Sequence, residues 1–560
     1  MLKASIVVPI YNAGEYIDDC APSLTGQSLG TDDYEVIYVD DGSTDDSLER
    51  LRRLAELHPH VQVHTQENSG WPGKPRNVGV RLARSEYVHF VDQDDEIAPD
   101  ALERLYDLAV RNDSDIVFGK TYGEMRGPAD IFRHHRERCS VEDTDLFETL
   151  TPHKMFRRQF LLDNDILFPE GRVRLEDQLF LAHAYPLAKT VSILGEHPSY
   201  HWHKRTDGNN NSSTPPRPED YYGHLRNVVR AIKEHSEPGP VQDRMLRRNY
   251  RTEILRPVTE PRVLQRTGEE LERYFTIVRD LVREEFPPGV SAGFPAIASL
   301  RGHLLETGRL DSLVELARRT RGIALRYEVG TTGWRGGRLT IPVRAWLVRA
   351  DGQPVTLLRS GDRLLLDPVL LDGVPGVDEW EVKDPFSQVH GEVVVKDTTR
   401  STWWYAENDM VPRLEPLEGD LCHVVLSADA VIDPLKLAGG APMTPGRHEV
   451  WLDTQLLGLG RRPRLTLPKK ATKAQLRDAR QGSRQAVVGT PPRVVGTGWT
   501  GQNQQLELQV SPPRQMPAAR ALLLRLSTDD RLRTPANAVG RRLPKGLRKR
   551  LRRVLKSAGR

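Results

Sequence analysis

Cysteine is scarce in this chain: 560 residues contain only Cys20, Cys139 and Cys422. An odd number in unrelated segments, with no C-x-x-C pair, excludes a disulfide framework and a zinc-finger set, and leaves core thiols as the expectation. Long apolar runs are missing too. No stretch approaches the roughly 18 residues of a spanning helix, and a single Lys3 precedes the first apolar run, so neither a membrane span nor a secretory leader is expected and the protein is placed in the cytoplasm. Excess charge of one sign is absent from most of the chain. Residues 531–560 hold twelve Lys or Arg and no acid against an overall +3, which leaves −9 on the preceding 530 residues. What remains is an ordinary globular composition, 38% hydrophobic and 28% charged, long enough for three or four domains.

Three short β-branched runs, Ile6–Val8, Val36–Val39 and Val88–Val91, read as buried parallel strands. Each ends in polar groups: Asn12 after the first, VDDGSTD through the second, VDQDDE through the third. Helices are expected between them at Gly14–Leu24, Ser47–Leu57 and Arg76–Ala83, giving an alternating α/β order whose ligand lies at the strands' carboxyl ends. The G-x-G-x-x-G that cradles a dinucleotide is lacking, since Pro9, Ile10, Tyr11 and Asn12 follow the first run. Phosphate charge must then be met differently. Asp92 and Asp94, with Asp95 beside them, suggest a hard divalent cation held by carboxylates and bridging to a nucleotide diphosphate, whereas Asp95, Glu96 and Asp100 suit turn solvation or helix capping equally well.

The segments VVPIYNAGEYIDDC, VDDGSTDDS, NSGWPGKPRNVGV, VDQDDE, HKMFRRQFL and RLEDQLF, in that order, resemble a family 2 glycosyltransferase of the inverting GT-A fold. PGKPRNVG with LEDQLF is most similar to the enzymes that place N-acetylglucosamine on poly(ribitol phosphate) wall teichoic acid. The resemblance covers residues 1–213 and implies roles by position. Pro9, Tyr11 and Asp41 would hold uracil and ribose, with Asn68 and Arg76 close to the nucleotide or diphosphate. Asp92 and Asp94 match the D-x-D, with Asp94 the direct ligand of Mn2+ or Mg2+, and Asp177 matches the catalytic base. Glu176 would steer the acceptor or orient its neighbour, while His203 and Arg205 join Arg76 as cations for the leaving diphosphate. His201–Thr214 has the composition of a lid or of a plain linker. Trp71 suits sugar stacking or loop packing. His153, Lys154 and Arg157 suit an anionic acceptor or an ordinary helix surface. Neither Q-x-x-R-W nor transmembrane segments accompany these motifs, so transfer of one sugar to an existing acceptor is expected.

Beyond this region apolar residues recur at three and four spacing to about Arg321, then alternate with period two. The expected organisation is an α/β GT-A (Rossmann-like) catalytic domain at 1–215, a helical linker domain at 216–321, a β-sandwich module at 322–468, a linker at 469–493, a second short β module at 494–530 and a basic amphipathic tail at 531–560. Two echoes, Gly333–Trp334 and Gly498–Trp499, each precede an alternating strand and suggest tandem modules. By resemblance these modules imply a homo-oligomer, a trimer in particular. Trp403, Trp404 and Tyr405 offer a carbohydrate-binding alternative or belong to a core. The tail sets Leu543, Leu547, Leu551 and Leu555 on one helical stripe among basic residues, which fits an anionic membrane surface or a polyanionic acceptor better than nucleic acid. Rival expectations are a capsular or lipid-linked glycan acceptor and, in another class, a non-catalytic glycan-binding or oligomerising scaffold.

Overall fold

A computed structural model of the chain describes residues 2–124, 127–205, 216–408, 410–467, 485–500 and 504–514. Two compact units emerge, one of residues 1–292 with 305–310, the other of 293–304 with residues from 311 onward.

The first unit opens with strands β1 (Leu2–Ile10), β2 (Tyr34–Asp40), β3 (Val61–Thr65) and β4 (Ser85–Phe90), alternating with α1 (Tyr16–Thr25), α2 (Ser47–Leu57) and α3 (Gly73–Leu82). Next come β5 (Glu96–Ile97), α4 (Ala101–Asn112), β6 (Ile116–Tyr122), β7 (Arg136–Cys139), β8 (Met155–Arg157), α5 (Arg158–Asp163), α6 (Glu176–Leu187) and β9 (Val191–His201). The sheet order is β3-β2-β1-β4-β8-β6-β9-β5, with β7 also on β9. β1 to β4 run parallel, paired Val7↔Ile37 and Val7↔Phe90, and β8 enters antiparallel. All seven residues of β2 are buried, as expected of a strand covered on both faces. Ile6, Val8, Tyr34, Val36, Leu24 and Leu105 belong to one core between sheet and helices. Because the chain leaves β1 to one side for β2 and returns on the other for β4, a crevice opens between their carboxyl ends.

α2 spans Ser47–Leu57 as expected, while α1 and α3 start two and three residues away from expectation, for local reasons. Asn12 and Gly14 take φ of 48° and 51°, a left-handed bend that delays α1 to Tyr16. α3 begins at Gly73 because Pro75 is tolerated within a first turn, where its missing N–H has no helical partner to lose. The glycines of that helix serve close packing: a Cβ on Gly79 would stand 2.2 Å from Val7 Cγ1, and one on Gly73 2.2 Å from the Pro169 carbonyl oxygen. α3 is thereby pressed onto β1 and the 163–175 loop, with Arg76 between those two contacts.

Helices α7 (Pro218–Glu234), α8 (Pro240–Asn249), a π-helical turn at Tyr250–Leu255, α9 (Gly268–Glu285) and α10 (Pro288–Ala292) follow in the first unit. Helices continue through the expected helical stretch to Thr320, although its last part groups differently. Residues 293–304 and 311–321 group with the second unit, where Ile297 N–H donates to the Leu457 carbonyl at 3.1 Å.

That second unit is a sandwich. One sheet is built on Ala324–Val329, Arg338–Val348 and Leu421–Ile432; the other runs Thr402–Tyr405, His390–Asp397, Gly446–Leu456, Gln505–Val510, Arg493–Thr500, Gln485–Val488. Leu339, Ile341 and Ile432 of one share a core with Val395, Leu452, Val495 and Leu508 of the other. This corrects the tandem arrangement. The strands after residue 484 complete the second sheet of the same sandwich, pairing His448 with Leu508, and buried Trp334 of the first echo directs its indole N–H at Thr497 Oγ1 beside the second, 3.4 Å away. The strand at Gln485–Val488 also falls within the stretch expected to be a linker. Trp404 lies in the shared core and Trp403 packs on Trp451, centroids 5.7 Å apart, so the aromatic run is packing. Residues 515–560, with the proposed tail, and most of the lid segment, residues 206–215, lie outside the described residues. No described helix is long and apolar enough to cross a membrane.

Candidate active site

At the end of β1 the chain bends at Asn12, and Tyr11, 47% exposed, faces outward. Its N–H donates to Gln93 Oε1 at 2.8 Å, which ties the first strand's end to the D-x-D across the crevice. Pro9 is buried in the strand itself. Asp41 is buried at the end of β2 and accepts from Gln66 Nε2 at 2.6 Å and from Ser69 N and Oγ at 2.9–3.1 Å. The 66–70 loop is thus fixed against it. Gly42, at φ 72°, lies so close that a Cβ would meet Asn68 N at 2.9 Å. Asn68 remains exposed, with its side-chain oxygen accepting from Gly70 N.

On the other side of the crevice stands an acid cluster organised by one arginine. Arg76 Nη2 donates to Asp92 Oδ1 and Nη1 to Asp177 Oδ1, both at 2.8 Å, and Glu176 Oε1 is 3.7 Å away. The guanidinium is 3% exposed and lies 5.0 Å from the Phe168 ring centroid, itself stacked on Phe180. Burial works against its charge, but the three carboxylates keep it firmly cationic. Expected close to the nucleotide or diphosphate, Arg76 joins the first acid of the D-x-D to the acid at the start of α6.

The carboxyls differ in how they are balanced. Burial opposes ionisation of Asp92, yet His153 and Arg76 hold it well below the usual carboxylate range. Asp94 is pushed up to about 6 by burial and by the Asp92 charge, with Arg205 at 3.7 Å opposing. Asp177 is pushed up to about 7 by burial and by Glu176, with Arg76 opposing, although 29% of its side chain meets solvent. A carboxylate such as Asp94, crowded by the Asp92 charge and left with a raised pKa despite Arg205, is a fitting donor for a divalent ion.

Asp95 is not a turn acid. It is fully buried, accepts from Tyr200 OH at 2.7 Å and His203 N at 2.9 Å, and so ties the D-x-D loop to the end of β9. His203 places its ring beside Glu96, 3.4 Å away, and Arg205 lies over Tyr16 with 4.4 Å to the ring centroid. The HKMFRR motif is also reassigned. His153 is buried, presents Nε2 to Asp92 Oδ2 at 2.9 Å and stacks on Tyr200, centroids 4.1 Å apart. Lys154 is 1% exposed, with Nζ on the Thr151 carbonyl, and Arg157 pairs with Asp113. These residues flank and form a central antiparallel strand, β8, rather than a helix surface, so His153 and Lys154 cannot attract an acceptor from solvent. Trp71 is buried with Arg174 5.1 Å from its ring centroid, the packing alternative. Sequence reasoning missed Tyr200 and the bonding of His153.

Residues 5–178 match the model of glycosyl transferase family 2, and 218–317 that of the glycosyl transferase TarS linker domain. Over 235 residues the chain is 39% identical to a poly(ribitol-phosphate) beta-glucosyltransferase of Bacillus spizizenii, covering 41% of this chain and 37% of that protein. It is 30% identical over 264 residues to the poly(ribitol-phosphate) beta-N-acetylglucosaminyltransferase TarP of Staphylococcus aureus, covering 44% of this chain and 80% of TarP. Among solved structures, residues 1–349 of S. aureus TarS in complex with UDP-GlcNAc superpose with a TM-score of 0.52 at 29% identity, over 58% of this chain and 94% of that one. The chain thus spans well under half of the first of these relatives and most of the second.

Proposed function

As a member of glycosyl transferase family 2, the chain is, we propose, an inverting, non-processive glycosyltransferase that moves N-acetylglucosamine from UDP-N-acetylglucosamine to a hydroxyl of a polyol-phosphate polymer of the teichoic acid kind. The observation that carries this reading is Arg76, which bonds the D-x-D acid Asp92 and the base candidate Asp177 at 2.8 Å each and so joins donor and acceptor chemistry in one site. The TarS and TarP similarities favour the sugar and acceptor named.

Pro9, Tyr11, Asp41 and Asn68 hold the uridine. Asp94, with Asp92 beside it, would hold Mg2+ or Mn2+, and the chemistry such an ion would supply is neutralisation of negative charge on the diphosphate. Arg205 adds positive charge on the same side, with the His203 ring near it. Asp177 takes the proton of the acceptor hydroxyl as that oxygen attacks the anomeric carbon opposite the leaving group, and inversion follows from that alignment. Arg76 keeps Asp177 and Asp92 in register, and Glu176 orients the acceptor. A carboxyl lifted to about 7 suits a base working near neutral pH, since it is a better proton acceptor than an ordinary aspartate and still ionised often enough.

We assign the sandwich to self-association as a trimer, the basic stretch 531–560 to an anionic membrane surface or to the acceptor polymer, and the reaction to the cytoplasm. The deciding experiment offers a panel of UDP-sugars to the purified protein with ribitol-phosphate and glycerol-phosphate polymers. Turnover confined to UDP-N-acetylglucosamine with such a polymer supports the reading; turnover with neither polymer on any donor refutes it.

A further inference from the structure

The turn that carries Asp177 is gripped on both sides by the helical part of its own unit. Leu175, immediately before α6, sits at φ 63° and ψ 27°. A leucine is strained in this left-handed region, so the conformation persists only where the surroundings impose it. On the upstream side, the Arg174 backbone N–H donates to Nδ1 of His224 on α7 at 3.1 Å, which places the His224 ring proton on Nε2. On the downstream side, Gln178 Oε1 accepts from Asn249 Nδ2 at 2.9 Å and from Arg248 Nη1 at 3.2 Å. Asn249 is wholly buried and Gln178 is 9% exposed, so water has little access to take over that bond.

Asn249 is also the last residue of α8, where the chain passes into the π-helical turn Tyr250–Leu255. Such turns widen a helix and re-aim its side chains, and they recur at functional sites. Glu253 in this turn holds Arg248 Nη1 at 2.9 Å and accepts from Tyr221 OH at 2.5 Å, while its carbonyl accepts from Tyr222 OH at 3.1 Å. The clamp on Gln178 is therefore braced against α7.

We infer that the helical region sets the catalytic base, with His224 and Asn249 as positioning residues that act on Asp177 through Arg174 and Gln178. The helical region is then part of the catalytic apparatus rather than a spacer, and a ligand or partner that shifted α7 or the π-helical turn would change turnover without touching the donor site. The inference rests on Asp177 being the base. Neither positioning residue is placed against substrate.

The test compares the full chain with His224→Ala, His224→Gln, Asn249→Ala and the double alanine variant. Steady-state transfer is measured, together with hydrogen exchange of residues 174–187. General base catalysis contributes about 10²–10⁴-fold and falls steeply with misplacement, so each alanine variant should lose about tenfold in kcat and the double more. The donor KM should stay within about twofold, and exchange should rise in 174–187. His224→Gln keeps an acceptor for the Arg174 N–H and should recover most of the His224→Ala loss. A double variant with wild-type kcat, a donor KM that rises in step with the loss, or a glutamine variant no better than alanine would overturn the inference. Exchange separates the two readings: if the wild type transfers no sugar but exchange in 174–187 still rises in the variants, the clamp stands and the assigned reaction falls. If the wild type is active and exchange is unchanged, the clamp falls alone.

Discussion

Replacing Arg76 by glutamine removes the one cation bonded to both Asp92 and Asp177 and leaves three carboxyls facing one another. Removing one partner of a buried ion pair costs about 3–5 kcal/mol, because a charge is left uncompensated. Here the acids are 31% and 29% exposed, so water recovers part of that and the lower end, about 3 kcal/mol, is expected. For a unit of this size a loss of about 3 kcal/mol lowers Tm by about 5 °C. The pH dependence gives the sharper check. In the wild type, a carboxylate held below its ordinary range contributes stability that is present above its unfolded pKa and lost only as pH falls through the depressed folded value. For Asp92 that loss sets in only as pH falls through the ordinary carboxylate pKa of about 3.9, so its contribution is largely intact at both pH 5 and pH 8. In the variant the acids have no arginine, their pKa values rise, and at pH 5 one can take a proton and donate it to its neighbour. The Tm deficit of Arg76→Gln should therefore be larger at pH 8 than at pH 5, measured by differential scanning calorimetry in matched ionic strength. An equal deficit at both values, or no deficit, would refute the view that Arg76 is there to balance carboxylates.

Asp177→Asn should keep UDP-sugar affinity within about twofold while losing about 10²–10⁴-fold in kcat, since the base acts on the acceptor and not on the nucleotide; a matching loss of affinity by calorimetric titration would remove Asp177 from that role. Wild-type kcat should fall as pH drops through about 7, because the base works only when deprotonated and its carboxyl is raised to that range; a profile flat down to pH 5 would contradict this. Exhaustive chelation should abolish transfer, and Mn2+ or Mg2+ should restore it; undiminished turnover in excess chelator would rule out a metal at Asp94. A chain ending at Asp530 should no longer sediment with anionic vesicles while keeping its rate on a soluble acceptor; unchanged sedimentation would exclude the basic stretch as the membrane contact.

Much of the α/β part was legible because its signals are local. A short β-branched run with acids at its end states both the strand and where its polar groups emerge, and parallel strands bring those ends together whatever the loops do. Asp92 after β4 and Asp41 after β2 were found this way. His153 was not, because an adjacent His and Lys before a three-residue strand look alike whether they face solvent or the interior; only the antiparallel insertion of β8 beside β4 buries them. The tandem echo misled for a related reason. Alternation with period two specifies a strand and its inward face but not its partner, and here the later strands found theirs on Gly446–Leu456 in the sandwich already begun.

By itself the sequence determined the strand-and-helix order, the acids at the strand ends and the change from helical to alternating period, all consequences of propensity and patterning within a few residues. Only the tertiary structure decided which charges meet. Arg76 and Asp177 are 101 residues apart, and Gln178 and Asn249 are 71 apart. No local rule relates such positions. Close packing of Gly79 on Val7 delivers the arginine to the acids, where Arg76 and His153 keep Asp92 ionised against its burial while burial and the neighbouring Glu176 lift Asp177 toward neutrality.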